Sequence, residues 1–227
     1  MKINIITLFP EVFNPILNTS ILKRAQKKGK VSFKLINLRD FGEGKHKVVD
    51  DRPYGGGAGM VLKPDILAKA LTQIIKISRS KKNDVTLLMS ASGKPYKQSR
   101  AKQLSKLDHI IIICGHYEGV DQRFIDKYVD EEISIGDYIL TGGEIPAMAI
   151  VDSIVRLLPG VLEKPEATVN ESFSDGLLEY PQYTRPEIFE GKKIPKILLS
   201  GNHAEISKWH KQKSLEKTRK VRLDLLR

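Results

Sequence analysis

The chain has 227 residues, 41% of them hydrophobic, which suits one large domain or a medium domain with a small appendage. No apolar run reaches the roughly 18 residues of a membrane span. The start, MKINIITLFPEVF, has no small-residue cleavage site, so we interpret it as a first β-strand and not as a signal peptide. The single cysteine, Cys114, excludes a disulfide framework within one chain and a cysteine-based metal site, and it predicts a cytoplasmic protein.

The formal net charge of +11 is concentrated near the C-terminus. Residues 191–227 contain eleven Lys or Arg residues and only three Asp or Glu residues. A basic segment attached to a near-neutral body is typical of a protein that binds a polyanion. The alternative is a solvated helical surface, and charge alone favours nucleic acid over it.

In chain order, the apolar pattern predicts strands that alternate with helices. The predicted strands are 2–8, 31–38, 85–89, 109–114 and 131–135. The predicted helices are a stretch from Pro10 to Gly29, 64–77, one near 97–106, one near 121–127 and 144–158. Residues 39–63 have the composition of a loop. This order predicts an α/β fold with a largely parallel sheet, in which HIIIIC (109–114) is a central strand buried on both faces.

Helix 144–158 is apolar around most of its girth, which suits a helix covered by the sheet on one side and by a second subunit on another. After Gly160 the sequence becomes polar, and we interpret residues 161–176 as a linker. The expected organisation is a domain over 1–160, this linker, and a basic domain of short helices over 177–227. Asn202 and Glu205 have the spacing of a capping box at the start of one of those helices.

Ligands of open α/β sheets bind beyond the carboxyl ends of the strands. Three such ends have loop composition: SASGKPY (90–96), GHYEGVD (115–121) and the segment that follows EEISI (131–135). Neither a G-x-G-x-x-G fingerprint nor a P-loop motif is present. Glycines at these ends are each compatible with an ordinary turn, but together they favour a backbone pocket. Such a pocket suits a neutral or cationic nucleoside better than a triphosphate.

Longer motifs carry a resemblance to a known family. They are VDDRPYGGGAGM (49–60), CGHYEGVD (114–121), SIGDYILTGGEIPAM (134–148), RLLPGVL (156–162), YPQYTRP (180–186) and LLSGNHAEI (198–206). Together they resemble the bacterial tRNA (guanine-N1)-methyltransferases of the TrmD family, in the SPOUT class. The resemblance implies a homodimer with a C-terminal trefoil knot in its α/β domain and a small basic helical domain. It further implies S-adenosylmethionine as methyl donor and N1 of the guanosine immediately 3′ of the tRNA anticodon as acceptor.

By this resemblance the three strand ends hold S-adenosylmethionine. The implied residues are Ser90, Gly93, Gly115, Tyr117, Glu118, Ser134, Ile135, Gly136, Asp137, Tyr138, Ile139, Leu140, Gly142, Gly143 and Pro146. Two departures occur here. The chain has Ser90-Ala91-Ser92-Gly93 where the family usually has Ser-Pro-Gln-Gly, and it has His116 where the family usually has Arg. The family's magnesium dependence also carries over as an expectation, although no sequence motif shows a metal site.

The implied reaction needs a base, because guanine N1 carries a proton at neutral pH. By resemblance Glu171, before Ser172 and Phe173, takes the place of the family's aspartate, and Asp175 is the alternative. Arg156 is the cation that would stabilise charge on the guanine. The alternative for Arg156 is an ordinary ion pair with Asp152, four residues earlier on the helix.

The expected RNA contacts are Asp50, Arg52, Gly59, Lys208, Lys211 and Arg219. The alternative for residues 50–59 is an ordinary surface loop. A rival class is a non-catalytic RNA-binding protein whose pocket holds a nucleoside effector, which the altered base and His116 motivate. An oxidoreductase is disfavoured by the missing dinucleotide fingerprint.

Overall fold

A computed structural model describes residues 1–78, 83–164, 168 and 171–226 of the chain. The chain divides into two compact units, Met1–Glu163 and Lys164–Arg227. Residues 165–167, 169 and 170 of the expected linker lie outside the described residues.

The first unit contains a five-stranded sheet in which every strand pair is parallel. Its strands are β1 (Lys2–Thr7), β2 (Ser32–Asn37), β5 (Asp84–Pro95), β6 (His109–Cys114) and β7 (Glu131–Ser134), in the order β2-β1-β6-β5-β7. Two short strands, β3 (Asp50–Asp51) and β4 (Val61–Leu62), form a separate antiparallel hairpin. The predicted α/β fold with a largely parallel sheet is confirmed, and β6 lies between two neighbours with all six residues buried.

Helices pack on both faces of the sheet. They are α1 (Asn14–Leu17), α2 (Ser20–Lys27), α3 (Pro64–Ser78), α4 (Gln98–Leu104), α5 (Gln122–Tyr128) and α6 (Glu144–Val155). Side chains alternate across the pleat, so Ile110 and Ile112 of β6 join one apolar cluster and Ile111 and Ile113 join the other. The first cluster includes residues of α2, α4 and α6, and the second includes residues of α3 and α5. This two-sided burial explains why β6 is apolar at nearly every position.

Several details of the first unit differ from the expectation. The helical stretch expected from Pro10 to Gly29 is divided into a 3-10 turn at Pro10–Phe13, α1 and α2. Strand β5 continues to Pro95, so most of the loop predicted over 90–96 is strand. Its pairing with β7 shifts register between Met89 and Lys94, and a sequence pattern does not encode such an irregularity. The segment expected to be loop, 39–63, contains a 3-10 turn at Leu38–Phe41 and the β3–β4 hairpin. Helix α6 ends at Val155, and Arg156 is its C-cap residue.

The second unit contains a short hairpin, β8 (Ile188–Phe189) with β9 (Lys192–Lys193), and a 19-residue helix, α7 (His203–Val221). The expectation of short helices is therefore wrong for α7. Its predicted N-cap is correct, since the Asn202 side chain accepts a hydrogen bond from the Glu205 backbone N–H at 3.3 Å. The buried side chains of this unit, within its described residues, are polar: Ser214 and Thr218. Thr218 accepts from the Leu178 backbone N–H at 2.9 Å and donates to the Ser214 carbonyl at 2.7 Å.

Candidate functional site

An open cavity of about 500 Å³ lies at the carboxyl ends of β5, β6 and β7. The structure brings the three strand-end segments together around it. The expected ligand-binding residues that line it are Ser90, Gly115, Tyr117, Glu118, Ser134, Ile135, Gly136, Tyr138, Ile139, Leu140, Gly142, Gly143 and Pro146. The convergence follows from the parallel sheet, because neighbouring parallel strands end at the same edge.

Gly93 and Asp137, also expected at the ligand, are not among the residues that line the cavity. A Cβ on Gly93 would lie 2.5 Å from the Ile133 backbone nitrogen, so this glycine allows β5 to approach β7 closely. Asp137 is exposed on the segment after β7. Sequence reasoning in turn did not single out Met89, Gln122 and Thr141, which do line the cavity.

The paired glycines Gly142 and Gly143 permit a direct backbone contact across the cavity wall. The Gly143 N–H donates to the Gly115 carbonyl at 2.7 Å, and His116 and Gly142 form an isolated antiparallel bridge. A Cβ on Gly143 would lie 2.8 Å from both Cys114 Cα and Gly115 N. Because backbone atoms cannot yield as a flexible side chain does, only glycine fits at position 143 without movement of the loop.

The segment after β7 forms the apolar rim of the cavity. The Ser134 hydroxyl donates to the Gly136 carbonyl at 3.0 Å and fixes the turn that leaves the strand. The next side chains, Tyr138 and Ile139, are exposed, and Ile139 has an exposed fraction of 83%. Large apolar side chains left exposed around an open cavity are typical of a ligand site, since a bound ligand would cover them.

Buried polar groups lie behind this wall. Glu144, at the start of α6, is buried and accepts a hydrogen bond from the Thr7 hydroxyl at 2.7 Å. Burial raises the pKa of the Cys114 thiol well above its usual range, and the nearby Glu144 carboxylate adds to the effect. His116 lies edge-on to Tyr117, with ring centroids 4.6 Å apart, and its Nδ1 is buried with no hydrogen-bond partner among the described residues. Asp121, at the end of the loop 115–121, has a structural role as the N-cap of α5.

The chain just after the glycine run 55–59 is hydrogen-bonded to the loop 115–119, which lines the cavity. The Glu118 N–H donates to the Met60 carbonyl at 3.0 Å, and the Leu62 N–H donates to the Gly119 carbonyl at 2.9 Å. A Cβ on Gly59, where φ is +87°, would overlap the Glu118 side chain. The β3–β4 hairpin with Asp50, next to Arg52, therefore adjoins the loop that carries Tyr117 and Glu118.

The two expected catalytic residues belong to different units. Arg156 is half-buried, and its backbone N–H donates to the Asp152 carbonyl at 3.2 Å. No ion pair joins the side chains of Asp152 and Arg156, both of which the structure describes. Glu171 is half-buried in the second unit, and its carbonyl accepts from the Ser174 N–H at 3.1 Å. Asp175 is exposed and accepts from the Leu177 N–H at 3.3 Å, so its carboxylate stabilises its own turn.

The expected phosphate contacts of the second unit share one face of α7. At 3.6 residues per turn, Lys208, Lys211 and Arg219 fall within about 80° of one another around the helix axis. The acids of the described part of 191–227 are each paired with a basic neighbour, in Lys208–Glu205, Lys213–Glu216 and Arg222–Asp224. Neither Lys211 nor Arg219 takes part in an ion pair with a described residue, so their charge is directed to solvent or to a ligand.

Within the described ranges, no three His, Cys, Asp or Glu side chains lie close enough together to hold a metal ion. That part of the chain therefore offers no protein cage for the magnesium that the resemblance implies, and an ion held by substrate and water would not need one. The same ranges contain no helix with both the length and the apolar character of a membrane span.

Comparison with known proteins extends over the whole chain. The profile of the family described as tRNA (Guanine-1)-methyltransferase TrmD matches residues 1–227. A tRNA (guanine-N(1)-)-methyltransferase of Anoxybacillus flavithermus is 53% identical over 226 residues, which cover 100% of this chain and 91% of the relative. Proteins of the same name from Dictyoglomus turgidum and Clostridioides difficile are 54% and 51% identical, over 100% and 99% of this chain and 90% and 97% of the relative. The chain therefore belongs to the TrmD family of tRNA (guanine-N1)-methyltransferases.

Proposed function

We propose that this protein transfers a methyl group from S-adenosylmethionine to N1 of the guanosine immediately 3′ of the anticodon in tRNA. The observation that carries the proposal is the full-length match to relatives named for guanine N1 methylation of tRNA. The glycine-walled cavity beside the β3–β4 hairpin supports it with a place for each substrate. We propose the cytoplasm as the compartment, because the chain has one free, buried cysteine and no disulfide, as is usual for proteins of a reducing environment.

The charge of the cavity lining supports S-adenosylmethionine as its ligand. Its lining includes two carboxylates, Glu118 and Glu132, and no Lys or Arg from the described residues. The negative charge of these two carboxylates attracts a cationic sulfonium and repels a polyphosphate. Backbone groups of Gly115 and of the segment 134–143 are the natural partners of an adenine edge, and Tyr138, Ile139 and Leu140 would cover its faces. When bound, S-adenosylmethionine supplies a methyl group on a positively charged sulfur.

We further propose that the segments 84–95, 109–119 and 131–146 thread through one another as the trefoil knot of the SPOUT class. Support comes from the close backbone approaches at Gly93 and Gly143, each of which excludes a Cβ. Such approaches let three segments cross within the thickness of one sheet edge.

In the proposed reaction, the Glu171 carboxylate removes the proton from guanine N1. The freed nitrogen lone pair then attacks the methyl carbon, and the bond from that carbon to sulfur breaks. Electron density that shifts toward guanine O6 would be stabilised by the Arg156 guanidinium. Glu171 lies within the residues expected to form the linker, 161–176, so RNA binding would complete the site by induced fit.

The proposed assembly is a homodimer in which one chain provides the cavity and Arg156 and its partner provides Glu171. Helix α6 supports it, because its inner side is buried while Ile145 remains 59% exposed and Ala149, one turn later, is also exposed. An apolar stripe on a helix whose other side packs in the core is suited to a second copy of the chain.

Mixed dimers test the shared site. A dimer of one Arg156→Ala chain and one Glu171→Gln chain has one site with both defects and one site with neither, if the two residues come from different chains. Activity should then reappear when the two inactive variants are unfolded, mixed and refolded together. If both residues act within one chain, every mixed site keeps one defect, and no activity returns.

Methyl transfer to an unmodified tRNA transcript tests the proposed activity itself. The expected result is incorporation of label from methyl-labelled S-adenosylmethionine that depends on protein and on tRNA. Binding of both ligands without transfer would refute catalysis and favour the non-catalytic RNA-binding protein.

A further inference from the structure

The second unit carries a cluster of aromatic rings that the proposed reaction does not use. Tyr180 and His210 are stacked, with ring centroids 3.5 Å apart and planes at 6°. Trp209 contacts His210 edge-on at 5.6 Å and Tyr183 at 6.4 Å. The four rings connect the extended segment before β8 to the middle of α7.

Within this cluster, Tyr180 and His210 are half-buried, whereas Tyr183 is exposed. Burial lowers the pKa of His210, which is expected for an imidazole packed between two other rings. Tyr183 has an exposed fraction of 49%. Its ring is tilted by 52° from the Trp209 ring, so Trp209 supports it without covering its face. The result is an exposed aromatic ring with a second aromatic ring, Trp209, beside it.

The surroundings of this ring are basic. Lys208 and Lys211 flank Trp209 and His210 in sequence, and Lys213 lies one turn further along α7. Of the acids of α7, Glu205 is paired with Lys208 and Glu216 with Lys213, whereas Lys211 is in no ion pair with a described residue. The extended segment with Tyr180 and Tyr183 also contains two acids, Glu179 and Glu187. An apolar face bordered by positive charge is complementary to a nucleobase attached to a phosphate backbone, since each base offers a π-face for stacking.

We propose that Tyr183, supported by Trp209, is a stacking platform for an unpaired base of the tRNA substrate. The inference rests on the proposed function, which makes RNA the ligand of this unit, and it adds a base contact to the phosphate contacts of α7. A second protein chain is the other possible occupant of an exposed aromatic ring. The charge favours RNA, because the chain as a whole is basic and a second copy would bring the same charge.

Trp209 is the only tryptophan in the chain, so its fluorescence reports directly on this cluster. Titration with an unmodified tRNA transcript should quench it, because a base stacked on Tyr183 would lie beside the indole ring. Tyr183→Leu, which removes the ring and keeps an apolar side chain, should lower tRNA affinity roughly 5- to 150-fold. Tyr183→Phe keeps the ring and should bind as the parent does. The matched control is Phe189→Leu, because Phe189 is an exposed ring in the same unit, and its affinity should be unchanged.

The dependence of affinity on salt separates stacking from phosphate binding. Tyr183→Leu removes no charge, so log affinity against log salt concentration should keep the slope of the parent protein. Parent affinity in Tyr183→Leu, or a decrease matched by Phe189→Leu, would overturn the platform. A changed sedimentation coefficient in Tyr183→Leu with unchanged tRNA affinity would assign the ring to a protein interface and also overturn it. These results would leave methyl transfer intact, whereas a parent protein that binds no tRNA would refute the proposed function as well.

Discussion

Replacement of Gly143 by alanine tests the cavity wall most sharply. The backbone at Gly143 has φ −81° and ψ 0°, which alanine adopts without strain, so the new methyl group is the whole perturbation. That methyl group would lie 2.8 Å from Cys114 Cα and Gly115 N, and 3.0 Å from Met89 Cβ. To accommodate it, the loop after β6 must move away from α6 and weaken the hydrogen bond from Gly143 N–H to the Gly115 carbonyl.

The magnitude follows from the cost of overpacking, typically about 1–3 kcal/mol. A domain of this size tolerates that loss, so the variant should fold. In the free Gly143→Ala protein, the loop after β6 moves away and relieves the clash. A ligand that binds only with the loop in its original position must move the loop back, and the free energy of this strain is lost from binding. The affinity for S-adenosylmethionine should therefore fall by roughly 5- to 150-fold, since about 1.4 kcal/mol corresponds to a factor of ten.

Isothermal titration calorimetry measures this change, and Gly42→Ala is its matched control. Gly42 also has an ordinary backbone, with φ −65°, and a Cβ there would overlap the Lys47 backbone, but Gly42 does not line the cavity. Both variants should lose thermal stability, and only Gly143→Ala should lose ligand affinity. Equal affinities in the two variants would refute the argument that close approach at Gly143 shapes the binding site.

Three further predictions concern other residues. Glu171→Gln should lower single-turnover methyl transfer by about 10²- to 10⁴-fold with S-adenosylmethionine binding unchanged, whereas Asp175→Asn should have little effect; the reverse order would identify Asp175 as the base. Replacement of both Lys211 and Arg219 by glutamine should make the plot of log tRNA affinity against log salt concentration less steep. The slope should change by about 0.7–0.9 for each phosphate that the variant no longer neutralises. An unchanged slope would show that these side chains do not bind phosphate. Because burial raises its pKa, Cys114 has a smaller fraction of reactive thiolate than an exposed thiol at the same pH. At pH 8, iodoacetamide should therefore modify Cys114 in the unfolded protein and not in the folded protein. Equal rates of modification would contradict the burial of Cys114.

The sheet could be predicted from the sequence because its signals are local. Alternating strands and helices, and a β6 that is apolar throughout, are sufficient to predict a parallel sheet covered on both faces. The strand ends then indicate where a ligand would bind. The glycines mark the places where chain segments approach each other, although the sequence does not say which segments meet.

Contacts between distant residues could not be predicted in this way. Thr7 and Glu144 are 137 residues apart in sequence, yet their hydrogen bond fixes the start of α6 beneath the cavity. The link between Met60 and Glu118 likewise depends on the fold. The extension of β5 to Pro95 was missed because residues 90–95 have turn composition, and a shifted ladder with β7 overrides that preference.

The position of the transferred methyl group tests the central claim most directly. Two tRNA transcripts that differ only in the nucleotide 3′ of the anticodon, guanosine or adenosine, are incubated with the protein and S-adenosylmethionine, digested with nuclease and analysed by mass spectrometry. We predict N1-methylguanosine at that position in the first transcript and no methylation of the second. A methyl group on any other nucleotide, or equal methylation of both transcripts, would contradict the proposed function.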